Sequence, residues 1–134
     1  MRHSFPTRRS SDLERWWDQQ LVRAMKAKGE LSALDRDMLH NYFEVAEVHV
    51  APSRQSEGIG AQLLAALLRE ATARWALLST PEVAGEANNA FGLYRKFGFT
   101  DVARDFFYEG DKRPFAILAL ARSEERFSRN AETA

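Results

Sequence analysis

The chain has 134 residues, 45% of them hydrophobic and 28% charged, with a formal net charge of zero and no cysteine. That length suits one domain with its own buried core. Zero net charge gives no overall pull toward nucleic acid or an anionic membrane, no apolar run reaches transmembrane length, and the lack of cysteine excludes disulfides, thiolate metal sites and thiol nucleophiles.

The first residues, Met1 to Leu13, read MRHSFPTRRSSDL. Rich in Arg and Ser, they fit a mitochondrial transit peptide or a small basic arm. His3 to Leu13 fits better with a third reading, one frame of a common short-read sequencing adaptor, which makes 1–13 a non-native or disordered segment. The segment sets Arg2, Arg8 and Arg9 against Asp12, so the rest of the chain carries a net −2 and the basic arm loses its support.

Residues 14–42 read as helical. Trp17, Leu21, Ala24 and Met25 form one stripe at helical spacing, and Gly29 is a plausible stop. Ser32 can cap a second helix through Tyr42, with Asp35 placed to complete a capping box. Trp16 and Trp17 are adjacent and cannot both face one core. One is expected to pack against a sheet; a stacking platform for a base or sugar is the alternative.

Phe43 to Leu68, FEVAEVHVAPSRQSEGIGAQLLAALL, organises the remainder. Val45, Ala46, Val48 and Val50 read as a strand that Pro52 closes. A polar turn leads to Gly58-Ile59-Gly60, and from Ile59 the apolar residues Leu63, Ala66, Leu67 and Leu68 recur at helical spacing. A strand therefore runs through a glycine-bearing turn into a helix. The first N–H groups of such a helix lack internal partners and carry partial positive charge, which suits a phosphate or pyrophosphate. G-x-G alone is equally an ordinary strand-to-helix turn. No Gly-Lys-Ser/Thr follows, so it is not a P-loop, and Leu63 stands where a dinucleotide fingerprint needs a small residue.

Trp75 to Thr80 reads as a short strand ended by Pro81, giving a strand–helix–strand unit with a parallel pair. A further helix is expected from about Asn88 to Phe97, with Gly98 closing it. Phe99–Glu109 and Pro114–Ala121 read as an antiparallel hairpin turned at Gly110-Asp111. The tail, 122–134, is polar and expected to fray.

Two stretches together resemble a known family. Val50-Ala51-Pro52, Gln55-Ser56-Glu57-Gly58-Ile59-Gly60 matches the acetyl-CoA motif of the GNAT acetyltransferases, V-x-P-x-x-[QR]-x-x-G-x-G. Ala90-Phe91-Gly92-Leu93-Tyr94-Arg95-Lys96-Phe97-Gly98-Phe99 resembles the same family's A-x-x-L-Y-x-x-x-G-F. The order and separation are right, and the resemblance covers Phe43 to about Ala121. It implies an α/β fold with a mixed GNAT-like sheet, a domain over 14–121 whose 43–121 half binds acetyl-CoA, and acetyl transfer to a primary amine of a small molecule or protein.

The resemblance also implies roles. The backbone of Val48, His49 and Val50 would hydrogen-bond the pantetheine arm where two strands splay, much as an added strand does. Gln55, Ser56, Glu57, Gly58, Ile59, Gly60 and Ala61 would cradle the pyrophosphate. Tyr94 would protonate the departing sulfur, with a buried packing phenol as the alternative. The family's asparagine position falls on Ala87 here, so Asn88 is a shifted candidate for a cofactor contact. Glu44 and Glu47 are the candidate bases on the acetyl-CoA strand, facing opposite sides because strand side chains alternate; Glu44 is favoured, and a solvated carboxylate is the alternative for each.

His49, His3 and His40 make no metal-ligand spacing, so no metal is expected. A non-catalytic acyl-CoA-binding module, or a phosphate-binding domain unrelated to CoA, are the competing readings. A cytoplasmic setting fits the absence of cysteine. The family fold has strands ahead of the acetyl-CoA strand, whereas 14–42 reads as a helical insertion. The first strands are therefore expected to be missing, leaving an edge at 43–50 open to aggregation or homodimer pairing and the fragment poorly active.

Overall fold

The structure is a computed structural model that describes residues 11–45 and 58–122. Its order is α1 (Ser11–Lys26), α2 (Ala33–His40), β1 (Tyr42–Glu44), α3 (Ile59–Glu70), β2 (Trp75–Pro81), α4 (Asn89–Phe97), β3 (Thr100–Phe106) and β4 (Phe115–Ala121), with a 3-10 turn at Ala84–Glu86 before α4. The strands form a mixed sheet in the order β1-β2-β4-β3. β1 runs parallel to β2, with Tyr42, Phe43 and Glu44 opposite Trp75, Ala76 and Leu77. β4 is antiparallel to both β2 and β3.

Helices cover both faces. Trp17, Leu21, Ala24 and Met25 of α1 and Met38 of α2 pack with Leu77, Ile117, Ala119 and Val102 on one side. Leu64 and Leu68 of α3 and Phe91 and Tyr94 of α4 pack with Phe43, Val45, Ala76, Leu78 and Leu118 on the other. Coverage on both sides explains why β2 and β4 are apolar at successive residues and do not alternate: Ala76, Leu77 and Leu78 are all buried, as are Ala116 to Leu120.

The local signals work as their chemistry requires. The Ser32 hydroxyl accepts from the Asp35 N–H and the Asp35 carboxylate accepts from the Ser32 N–H, each at 3.0 Å, completing the capping box. Trp17 is 4% exposed and Trp16 39%, so only the second faces the core. Gly98 adopts φ 96 at the end of α4, where its N–H and that of Phe99 close on the Arg95 and Tyr94 carbonyls.

Several expectations need correction. α1 begins at Ser11, within the segment read as ending at Leu13. Leu64, absent from the stripe Ile59, Leu63, Ala66, Leu67, Leu68, is fully buried; the packed row is Leu64, Leu68 and Ala71, with Leu67 beside it. β3 stops at Phe106, short of Glu109, after register shifts on either side of Ala103. Those shifts break the alternation, which is why neighbours Val102 and Ala103 are both buried. Arg122, read as the start of the frayed tail, is anchored: it donates to the carbonyls of Ala73 (2.8 Å) and Leu68 and lies over the Phe43 ring. It thereby satisfies a carbonyl near the C-terminus of α3, where a cation suits the helix dipole. No helix among the described residues is long and apolar enough to cross a membrane.

Candidate active site

The glycine-bearing entry to α3 is described from Gly58 onward. Gly58 is the N-cap residue at φ 77, ψ 9, a left-handed conformation that costs any other residue strain, and it offers no side-chain cap. A Cβ there would meet nothing within 4 Å, so conformation and not crowding selects glycine. Gln62 is the first residue to bond back along the helix, to the Gly58 carbonyl at 3.1 Å. The N–H groups of Ile59, Gly60 and Ala61 therefore have no intrahelical partner, and the first turn holds no acidic residue. This end of α3 suits an anion.

Glu44 ends β1 opposite Leu77, and the Val45 N–H continues the pairing to the Leu77 carbonyl at 2.8 Å. Phe43 and Val45 face α3 and α4, so alternation puts the half-buried Glu44 on the α1–α2 face. Glu47, Val48, His49, Val50, Gln55, Ser56 and Glu57 lie outside the described residues.

Tyr94 lies on the opposite face. It is 6% exposed, one of the core residues under α4, and its ring meets Phe99 edge-on at 5.9 Å. Packing is thus part of its role. Asn88 is the N-cap of α4, its Oδ1 accepting from the Phe91 N–H at 2.9 Å. That oxygen caps the helix, and its second lone pair and the amide N–H groups can meet a further partner.

Two features escaped the sequence reading. The first is an ion network before and after α4. Arg95 grips Glu86 with both arms of its fork (Nε–Oε1 2.9 Å, Nη2–Oε2 2.8 Å) and also reaches Asp101 at 2.6 Å. Arg104 grips Glu82 in the same way (2.9 and 2.7 Å) and reaches Glu86 at 3.0 Å. The Arg95 hydrogen bonds hold the Glu86 carboxyl down at about 2. Glu86 and Asp105 both adopt positive φ, 55 and 50, and the Asp105 N–H donates to Glu82 at 2.7 Å. Arg95 and Glu86 are nine residues apart across a turn, so only the fold brings them together.

The second is an aromatic cluster around Tyr108 on the α1 face. Trp16 and Trp17 stack on its ring at 5.8 and 6.1 Å, and Phe106 and Phe115 meet it edge-on at 5.1 and 5.2 Å. Burial pushes the phenol up to about 12, and the nearby Ser79 hydroxyl offsets this only in part. Neither hydroxyl completes a hydrogen bond, nor does the buried Trp17 indole N–H. Among the described residues no group of three or more His, Asp or Glu is placed to hold a metal ion.

A model of the acetyltransferase (GNAT) domain matches residues 18–101. The chain belongs to the GNAT acetyltransferase family. A GCN5-like protein acetyltransferase of Mycobacterium tuberculosis is 42% identical over 103 residues, covering 77% of this chain and 50% of the relative. The chain thus spans about half the length of the curated relative it matches. A GNAT-family structure from Desulfovibrio desulfuricans superimposes with a TM-score of 0.52 at 15% identity, covering 79% of this chain and 92% of that one, which establishes the shared fold. The GNAT match begins inside α1, so it takes in the helical stretch ahead of β1.

Proposed function

We propose that this GNAT chain transfers an acetyl group from acetyl-CoA to a primary amine by direct attack. The observation that carries the reading is the β1–α3–β2 unit within the GNAT match. It delivers the N–H groups of Ile59, Gly60 and Ala61, which have no partner within the helix, at a first turn without acidic residues, suited to a pyrophosphate. Gln55, Ser56, Glu57 and Gly58 would complete that cradle, and the backbone of Val48, His49 and Val50 would hold the pantetheine arm.

Bound acetyl-CoA supplies the thioester. The chain has no cysteine, which removes the commonest acyl-enzyme nucleophile of a thioester exchange. Glu44 or Glu47, directly or through water, takes the proton that the amine nitrogen loses as its bond to the acetyl carbon forms. As the carbon–sulfur bond breaks, the Tyr94 hydroxyl gives its proton to the sulfur and regains one from solvent. Asn88 would contact the cofactor through its amide N–H groups. The Mycobacterium relative is named a protein acetyltransferase, which supports a protein amine among the acceptors. A cytoplasmic setting suits acetyl-CoA supply.

The burial of Tyr94 in the core is also what a non-catalytic acyl-CoA-binding module would show. Thiol release from acetyl-CoA in the presence of lysine peptides and small amines separates the two. Turnover supports transfer, and binding of desulfo-CoA without turnover supports the binding module. Calorimetry showing ATP bound and desulfo-CoA ignored would overturn both.

A further inference from the structure

We propose that Arg95 is a positioning residue that sets the Tyr94 phenol, acting through Glu86, Phe91 and Phe99; this rests on the acid role proposed for Tyr94. One guanidinium reaches three groups around the Tyr94 segment of the helix: Glu86, Phe91 and the Phe99 carbonyl. Its two-pronged grip on Glu86 ties α4 to the left-handed turn that precedes it. Its Nη1 donates to the Phe99 carbonyl at 3.0 Å, and Phe99 in turn packs edge-on against Tyr94 and donates its N–H to the Tyr94 carbonyl at 3.1 Å. Its Cζ also lies 5.9 Å from the ring centroid of Phe91, the fully buried residue one turn before Tyr94. Arg104 flanks the same ring at 5.5 Å and holds the other side of Glu86. Helix start, helix end, the Phe99 that packs on Tyr94 and the Phe91 ring of the same core are therefore tied to one planar fork, a geometry a lysine ammonium cannot reproduce.

An ordinary surface ion pair would give only a small, additive stability effect. A positioning role predicts coupling to Tyr94. In Arg95→Lys, kcat should fall about 10-fold or more, since misplacement on the ångström scale is costly to catalysis, while KM for acetyl-CoA stays within about twofold. In the Tyr94→Phe background the same change should leave kcat unaltered, because the group it positions is gone. Equal losses in both backgrounds overturn the role while leaving the acid reading intact. Tyr94→Phe with full kcat overturns the acid reading and Arg95's role with it.

A second readout does not depend on turnover. The chain has three tyrosines, Tyr42, Tyr94 and Tyr108, so ring-labelled tyrosine NMR can follow each. Arg95→Lys should move the Tyr94 resonance and leave Tyr108 in place. An unmoved Tyr94 signal overturns the proposal.

Discussion

Glu44 and Tyr94 stand on opposite faces of the same sheet. Glu44 shares the side of Leu77 under α1 and α2, while Tyr94 lies in the core beneath α3 and α4. A proton taken at one and delivered at the other cannot pass between them directly, yet both steps occur at one acetyl carbon, so a base role for Glu44 at the centre Tyr94 serves would have to run through water. Separate substitutions distinguish the two roles.

Tyr94→Phe keeps the ring in its packed place against Phe99 and removes only the hydroxyl. If that hydroxyl is the acid, kcat should drop about 10²-fold or more with acetyl-CoA affinity nearly intact. Glu44→Gln should lower kcat on a comparable scale and erase the acidic limb of the rate profile, where a carboxylate base would protonate. Steady-state kinetics across pH checks both. Loss of stability in Tyr94→Phe with unchanged kcat would leave packing as its only role.

Gly60 lies in the first turn of α3, beside N–H groups that have no partner in the helix. Gly60→Asp should act in opposite directions on folding and binding. A carboxylate in the first turn of a helix stabilises by about 0.3–1 kcal/mol. The same charge repels a pyrophosphate and should weaken CoA binding by more than about 2 kcal/mol. Thermal melts and calorimetry on one sample test the pair. A folded variant with unchanged CoA affinity would remove this helix end from the binding site.

Local chemistry was legible wherever a few neighbouring residues decide it. The Ser32–Asp35 capping box, the Gly98 stop and the choice of one tryptophan for the core all follow from short-range geometry. The two GNAT signatures likewise pointed to the mixed sheet. What stayed hidden depends on tertiary placement. Leu64 is buried because α3 rotates its Leu64–Leu68–Ala71 row onto Phe43 and Val45, and an α3 that is apolar on most sides does not announce that choice. Arg95 and Glu86, Tyr108 and Ser79, and Arg122 and Leu68 meet only once the strands are ordered.

The ion network gives an acid-side prediction. Glu86 is lowered from 4.5 to about 2, chiefly by hydrogen bonds from Arg95. A depressed carboxyl contributes stability that is complete above its unfolded value and is lost as pH falls through the folded one. Stability should thus decline between pH 4.5 and about 2. Glu86→Gln should flatten that decline in chemical denaturation series, and a decline of unchanged steepness would show that Glu86 does not carry it.

Tyr108 gives the complementary alkaline prediction. Burial raises its phenol to about 12, so the folded state favours the neutral form. Its contribution is fully present below the ordinary value of 10.0 and is lost as pH rises toward 12. Tyr108→Phe should remove that alkaline loss. At neutral pH the same change keeps the ring that Trp16, Trp17, Phe106 and Phe115 contact and deletes a hydroxyl that completes no hydrogen bond. Deleting a satisfied buried hydroxyl typically costs about 0.5–1.5 kcal/mol, whereas an unsatisfied one adds a desolvation cost that its removal relieves. Tyr108→Phe should therefore be neutral or stabilising in urea denaturation at pH 7. A loss beyond about 1.5 kcal/mol would mean that the hydroxyl has a strong partner in solution, such as a bound water bridging it to Ser79.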